Sequence, residues 1–150
     1  MVFGKFISGK DDLRQVQEIR QKVFAEELGL TMLGEMPDEF CMHALAYEGE
    51  QPVGMGRIMY DGDRFTIAGI AVLPEYRGQK YGDFLARLLI DKAMMSNAQE
   101  IYLDALSGTE SFFGKLGFEV CGAEYDNLGG SWIPMILHTD QIHKCCNCKG

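Results

Sequence analysis

The stretch that most constrains the fold of this chain runs from residue 65 to residue 95. "FTIAGIAVL" is almost continuously apolar, "PEYRGQKYG" follows, and "DFLARLLIDKA" is amphipathic. A continuous apolar run of this length predicts a strand covered on both faces, because an open face would show alternating polar residues. Apolar residues at helical spacing predict a helix that begins after Gly78. The segment therefore predicts a central strand, a basic glycine-bearing turn and a helix.

The turn between this strand and helix has the features of an anion site. A helix N-terminus carries unpaired N–H groups and roughly half a positive charge, and glycine lets a ligand approach the main chain. Arg77 and Lys80 add positive charge. A plain turn with a solvated arginine explains the same residues equally well. Neither G-x-x-x-x-G-K-[ST] nor a G-x-G-x-x-G after the first strand occurs, which disfavours nucleotide hydrolases and dinucleotide enzymes.

The segments on either side predict a mixed sheet. "VFGKFIS" predicts a first strand, and a helix is expected from Asp11 until Gly29 ends it. "LTMLGEMPDEFC" predicts a loop or a short second helix, and "TESFFGKLGF" a short helix ended by Gly117 and capped by Thr109 or Ser107. Further strands are predicted in "MHALAYEGEQPVGMGRIMY" (a hairpin), "EIYLDAL", "FEVCGAEYD" and "SWIPMIL". This order indicates an α/β (α+β) fold, with about seven strands in a mixed central sheet and helices on both faces.

Length and charge narrow the class of protein. A chain of 150 residues suits one domain, and its net charge of −8 argues against broad nucleic-acid binding, which needs a basic face. The charge is compatible with a cationic substrate. No apolar run approaches the ~20 residues of a membrane helix, and the N-terminus does not look like a signal peptide. An odd count of five cysteines does not indicate a secreted disulfide framework, so we expect a reduced, cytoplasmic protein.

Three of the five cysteines lie in the last residues, "HTDQIHKCCNCKG". Zinc prefers four ligands in paired spacing, and this run lacks a clean pair and a second cluster elsewhere. We therefore predict no metal site. The expected organisation is one domain over residues 1–137 and a cysteine-rich tail over residues 138–150.

Two segments together resemble the Gcn5-related N-acetyltransferase (GNAT) family. "IAVLPEYRGQKYGDFLARLLIDKA" resembles its acetyl-CoA-binding segment, in which [QR]-x-x-G-x-[GA] joins a strand to a helix. The pattern falls on residues 77–82, with Lys80 in place of the central glycine. "SGTESFFGKLGFEVCG" resembles the family's F-Y-x-K-x-G-F segment, and the N-terminal part resembles a bacterial subgroup of unassigned substrate. The resemblance extends to about Leu137.

The resemblance implies a GNAT fold that binds acetyl-CoA where the fourth and fifth strands splay apart. The acyl carbonyl is expected near a main-chain N–H at a bulge of the fourth strand, around Ala71 or Val72. Residues expected to bind the pantetheine arm and the diphosphate, or to lie beside the cofactor, are Ile70, Ala71, Val72, Arg77, Gly78, Gln79, Lys80, Tyr81, Gly82, Asp83, Ser111 and Phe113.

The implied activity is direct transfer of acetyl to a primary amine of a small molecule or protein, by a chain that could pair as a homodimer. The family's proton-donating tyrosine is replaced by Phe113, which leaves Tyr102 and Cys121 as nearby donors that also fit ordinary strand packing. The fourth strand carries no carboxylate to serve as base. Trp132, where the subgroup has a histidine, is either core packing or an apolar wall of the acceptor pocket.

Several residues elsewhere are candidates for the base, and Glu27 is the first choice by resemblance to the subgroup. A carboxylate or a carboxylate-bound water is needed because alkyl amines, with a pKa around 10, are mostly protonated at neutral pH. The alternative is a catalytically weak or inactive CoA-binding sensor or interaction protein, since Phe113 cannot donate a proton. The candidate bases are Glu27, Asp38, Glu39, His43 and Asp104.

Overall fold

A computed structural model of the chain describes residues 2–29, 38–62, 64–127 and 129–140. Its strands are β1 (Val2–Ser8), β2 (Met42–Glu48), β3 (Gln51–Tyr60), β4 (Phe65–Val72), β5 (Glu100–Leu106), β6 (Glu119–Val120), β7 (Tyr125–Asn127) and β8 (Gly130–His138). Its helices are α1 (Arg14–Arg20), α2 (Tyr81–Met95) and α3 (Glu110–Gly114), with a π-helical segment at Gln21–Glu27 and 3-10 turns at Asp38–Phe40 and Pro74–Tyr76.

The strands form one mixed sheet of eight strands in the order β1-β2-β3-β4-β5-β8-β6, with β7 also paired to β8. Only the β4–β5 pair is parallel within this sheet. The predicted fold class is confirmed. The count exceeds the predicted seven because "FEVCGAEYD" forms two short strands, β6 and β7, rather than one.

Helices cover both faces of the sheet, as predicted. Side chains alternate along a strand, so on β2 Leu45 packs in the core cluster under α1 and the π segment, whereas Ala44 and Ala46 pack in the cluster under α2. On β3, an added Cβ at Gly54 or Gly56 would lie 2.8 Å from a leucine of α2. These glycines therefore let α2 lie directly on the sheet, which fixes the helix N-terminus beside β4.

The N-terminal helical region begins three residues later than the predicted start at Asp11, and it ends before Gly29 as predicted. α1 begins at Arg14, and Asp12 accepts a hydrogen bond of 3.0 Å from the Arg14 main-chain N–H. The helix continues from α1 into the π segment, and Gly29 lies just beyond it with a φ of 69°. Most of the predicted loop or second helix, residues 30–37, lies outside the described residues.

The predicted cap of α3 is wrong. Thr109 is its N-cap residue, but its hydroxyl donates to the carbonyl of Leu106 at 2.6 Å instead of accepting a helix N–H. Gly117, predicted to end this helix, has a φ of 106° and lies three residues beyond Gly114.

The last described residues are attached to the domain. β8 runs through His138, and the buried Thr139 hydroxyl donates to the carbonyl of Ala98 at 2.8 Å. β8 thus extends one residue past the predicted boundary at residue 137, and the division into a domain and a tail stays a prediction. The three tail cysteines lie outside the described residues, and the described part holds no group of three or more potential metal ligands. Among the described helices, none is long and apolar enough to cross a bilayer.

Candidate active site

β4 and β5 separate partway along their length, as the family resemblance implies. They pair in parallel from Phe65 opposite Ile101 only as far as Ile67 opposite Leu103. Beyond this point β4 continues to Val72, whereas β5 stays paired with β8. The gap between the two strands opens into a cleft of about 890 Å³.

A β-bulge bends β4 where the strands diverge. The register of β3 against β4 shifts between Met55 and Arg57, so Gly69 and Ile70 together oppose Gly56. Gly69 has a φ of 65°, a conformation that favours glycine. The bulge lies one to three residues before the position expected from the resemblance, Ala71 or Val72. Because a bulge increases local bend and twist, it directs the end of β4 away from β5.

The end of β4 presents an unpaired strand edge to the cleft. The N–H of Leu73 bonds to the carbonyl of Val53 on β3 at 2.9 Å. Since main-chain groups alternate in direction along a strand, the N–H and C=O of Val72 point away from β3. The Nε–H of Arg77 reaches this Val72 carbonyl at 3.0 Å, which confirms its direction. β4 can therefore accept an extended ligand as an added strand.

The turn that follows leaves the first N–H groups of α2 without internal partners. The first bond within the helix runs from Phe84 N–H to the Lys80 carbonyl at 3.0 Å, and no side chain caps the helix within the described part of the chain. The N–H groups of Tyr81, Gly82 and Asp83 precede that bond. This 15-residue helix thus presents its positive end to the cleft.

Lys80 occupies a left-handed conformation, with a φ of 69°. This explains why the family pattern has glycine here, because a side chain in this region costs roughly 1–2 kcal/mol. Lysine in place of glycine therefore keeps the geometry of the turn, but the backbone at Lys80 is strained.

We therefore expect Lys80→Gly to raise the free energy of unfolding by up to about 1 kcal/mol, with part of the strain relief offset by greater freedom of the unfolded chain. Urea unfolding followed by far-UV circular dichroism measures the change. Lys92→Gly, within the same helix, is the control and should destabilise by about 1 kcal/mol. A loss of stability in Lys80→Gly would contradict the strain argument.

The cleft brings together nearly all of the predicted cofactor residues, although their binding roles stay predictions. Gln79 does not border the cleft. Phe113 does, and its ring packs edge-on against Phe112 and Phe118. The predicted residues that border the cleft are Ile70, Ala71, Val72, Arg77, Gly78, Lys80, Tyr81, Gly82, Asp83, Ser111 and Phe113.

Three of the candidate bases lie outside the cleft. Asp38 accepts bonds from Arg20 at 2.6 Å and from the buried Arg57 at 2.8 Å, and its carbonyl lies 3.1 Å from Nε2 of His43. Burial opposes ionisation of Asp38, but the two arginines outweigh it and hold its pKa below the usual value. Burial lowers the pKa of His43. Glu39, next to Asp38 in the chain, does not border the cleft either.

The two alternative proton donors also lie elsewhere. The hydroxyl of Tyr102 donates to Glu100 at 3.3 Å, and the guanidinium of Arg64 lies 4.0 Å from its ring centre. Cys121 is an exposed free thiol away from the cleft. Of the tyrosines that do border the cleft, Tyr81 bonds through its hydroxyl to a glutamate on β2, which raises the pKa of Tyr81 to about 12.

Glu27 and Asp104 both border the cleft but in different states. Glu27 accepts two bonds of 2.6 Å from the Arg77 guanidinium, and these hold the pKa of Glu27 below its ordinary value of 4.5. Asp104 is exposed and follows directly after Leu103, the last β5 residue paired with β4. Asp104 therefore lies at the fork of the two strands.

The Glu27–Arg77 ion pair gives a pH dependence. Because folding lowers the pKa of Glu27, its contribution to stability is complete above the unfolded value and is lost as the pH falls through the folded value. We expect Glu27→Gln to cost about 1 kcal/mol or less near neutral pH. The difference should shrink as the pH falls below the ordinary glutamate pKa of 4.5 and through the lowered folded-state value. Urea titrations across this range measure it, with Glu26→Gln as control. A difference that persists in acid would contradict the ion pair.

Sequence reasoning missed several cleft residues because their apolar character reads as core. Phe24 in the π segment, Leu28 directly after it, Leu106 on β5 and Tyr76 all border the cleft. Trp132 borders it too, which favours the wall interpretation, and its indole N–H donates to the carbonyl of Asn127 at 2.8 Å. These residues lie at the ends of strands and helices near the fork of β4 and β5, and this position is the feature of the sequence that could have indicated them.

A splayed mixed sheet, a bulged β4 and an open helix N-terminus are the features that the family resemblance implies. The model of the acetyltransferase (GNAT) family matches residues 11–118, and the chain belongs to this family. It is 31% identical to the Bacillus subtilis protein YyaT over 150 residues, covering 93% of this chain and 96% of YyaT.

Solved structures show the same fold. Escherichia coli ElaA superposes with a TM-score of 0.81 at 21% identity, covering 92% of this chain and all of ElaA (100%). The PaiA N-acetyltransferase of Thermoplasma acidophilum, solved in complex with coenzyme A, superposes with a TM-score of 0.70 at 14% identity, covering 92% of this chain and 99% of PaiA.

Proposed function

We propose that this protein is an N-acetyltransferase that moves acetyl from acetyl-CoA to a primary amine by direct transfer. The observation that carries the proposal is the open edge of β4 beside the uncapped N–H groups of α2. An extended pantetheine arm fits the strand edge, and a diphosphate fits the positive helix end. PaiA, a protein of the same fold that was solved in complex with coenzyme A, supports CoA as the ligand of this fold.

Arg77 connects the two halves of the proposed cofactor site. It lies between the Val72 carbonyl and Glu27. A cofactor that pairs with Val72 requires the guanidinium to leave this carbonyl, and a diphosphate at the helix N-terminus is the natural new partner, since arginine binds phosphate oxygens in bidentate fashion. The position of the phosphate then decides whether the Arg77 guanidinium keeps its ion pair with Glu27 or breaks it.

The chemistry needs a proton acceptor and an oxyanion donor at the fork. The amine nitrogen bonds to the acetyl carbon, the C–S bond breaks, and the thiolate leaves with the electron pair. The N–H of Val72 faces the cleft and is the donor proposed for the oxyanion, a contact typically worth ~3 kcal/mol. A thiol with a pKa near 8.5 leaves without obligatory protonation, so Phe113 in place of tyrosine is compatible with turnover.

Asp104 is the base that the geometry favours. It lies at the fork, beside the bulge of β4, whereas Glu27 is held by Arg77 and has a lowered pKa. A carboxylate accepts the proton as the N–C bond forms, because the nitrogen becomes acidic at that stage. Glu27 as base stays a prediction and requires Arg77 to release it first.

Release of free thiol from acetyl-CoA, with and without a panel of amines, tests the function. An acetyltransferase releases thiol in step with amide formation and only when an acceptable amine is present. The alternative of a CoA-binding sensor is supported by Phe113, and it predicts saturable CoA binding with no thiol release from any amine. Cytoplasmic location and a homodimer stay predictions.

A further inference from the structure

Three carboxylates border the cleft, and arginines already pair with two of them. Glu27 accepts two bonds of 2.6 Å from Arg77, and Asp83 accepts one of 2.9 Å from Nε of Arg87. The third, Asp104, forms no ion pair or hydrogen bond with any residue that the structure describes. Asp104 is therefore the cleft carboxylate that can receive a cation from outside.

The surface next to Asp104 is apolar. Asp104 and Leu106 lie on one face of β5, and their partners on β8 are Pro134 and Trp132. Asp104 and Trp132 are thus diagonal neighbours across the strand pair, with Cβ atoms roughly 7–8 Å apart. Because the indole N–H already donates to Asn127, the Trp132 ring requires no hydrogen bond from a ligand.

The opposite wall of the cleft is apolar as well. Phe24 and Leu28 both border the cleft, and Phe24 is buried whereas Leu28 remains 43% exposed. Apolar and aromatic side chains that line a concave cleft are typical of a pocket for a small molecule with a hydrophobic part. Among the described residues, the cleft therefore offers one unpaired carboxylate for a cation and apolar side chains for a hydrophobic group.

We propose that the acceptor is an apolar monoamine, with its nitrogen at Asp104 and its hydrocarbon or aromatic body between Leu28 and Trp132. This deepens the proposed function and rests on it. The bound ammonium first loses one proton to water. The neutral nitrogen then forms the amide bond as the C–S bond of acetyl-CoA breaks, the thiolate leaves with the electron pair, and the second nitrogen proton passes to Asp104. A polyamine fits less well, because one unpaired carboxylate compensates only one of its charges.

Trp132 is the only tryptophan in the chain, so its fluorescence reports amine binding without any turnover. Titration with phenethylamine, ethanolamine and spermidine tests the proposal. We expect a Kd for phenethylamine at least about 10-fold below that for ethanolamine, because the ring is buried on binding. Asp104→Asn should weaken phenethylamine binding about fivefold. Asp91→Asn, an exposed carboxylate of α2 outside the cleft, should not.

Equal or tighter binding of spermidine or ethanolamine would overturn the proposal, as would unchanged phenethylamine binding in Asp104→Asn. The same amines in the thiol-release assay separate this inference from the proposed function. Phenethylamine binding without acetylation contradicts the acetyltransferase and upholds the amine pocket. Acetylation of spermidine with a kcat/KM equal to or above that of phenethylamine upholds the acetyltransferase and overturns the acceptor class.

Discussion

Replacing Asp104 with asparagine lowers kcat for amine acetylation about 100-fold while the Kd for CoA stays within about twofold. Asparagine keeps the shape of the side chain but does not accept the proton as the N–C bond forms. The loss should persist as the pH rises toward the amine pKa, because the neutral amine that attacks still has to lose a proton as the N–C bond forms. Steady-state kinetics across pH, together with calorimetry of CoA binding, measure both effects.

Asp91→Asn, which removes a carboxylate from α2 outside the cleft, is the control and should leave kcat unchanged. A kcat for Asp104→Asn close to that of wild type would remove Asp104 as the base. If Glu27→Gln instead gave the large loss in kcat, the base would be Glu27, which would then have to separate from Arg77 during turnover.

Replacing Gly82 with tryptophan weakens CoA binding about 100-fold or more, because the indole fills the space in front of the helix N-terminus. An added Cβ at Gly82 would lie 3.5 Å from the ring of Phe112 and 4.0 Å from Val72, which are ordinary contacts. The first turn of α2 therefore tolerates a side chain at this position. Calorimetric titration with CoA measures the loss.

Gly114→Trp is the matched control, because an added Cβ there meets no atom within 4 Å and Gly114 does not border the cleft. It should bind CoA as wild type does. Gly82→Ala should raise the free energy of unfolding by up to about 1 kcal/mol and weaken CoA less than tryptophan does. Unaltered CoA affinity in Gly82→Trp would place the diphosphate elsewhere.

The strand, turn and helix around residues 65–95 could be predicted because they follow from local patterns. An unbroken apolar run, a glycine-bearing turn and helical spacing each act over a few residues. Lys80 stands where the family pattern has its central glycine. Its positive φ shows that the chain keeps the backbone conformation that favours glycine at this position. The splay of β4 from β5 came from family resemblance, because no short pattern encodes where two parallel strands stop pairing.

The pairing of charges could not be predicted, because it joins residues far apart in the sequence. Glu27 and Arg77 are separated by 50 residues, and the fold brings the π segment over the turn before α2. The position of Asp38 and His43 after the first helix predicted that they lie beside the acceptor. In the structure they instead pack with Arg57 on β3. Ion pairs of this kind are decided by packing geometry, which composition and spacing do not contain.

Amide chemical shifts of the 15N-labelled protein during titration with CoA test the central claim most directly. The account predicts saturable shifts of the Val72, Gly78 and Gly82 amides, which form the strand edge and the helix N-terminus. A second cavity, of about 290 Å³ and bordered by Tyr60 and Gln99, provides the comparison. Saturable CoA binding that moved the Gln99 amide and left the three cleft amides unshifted would contradict the account.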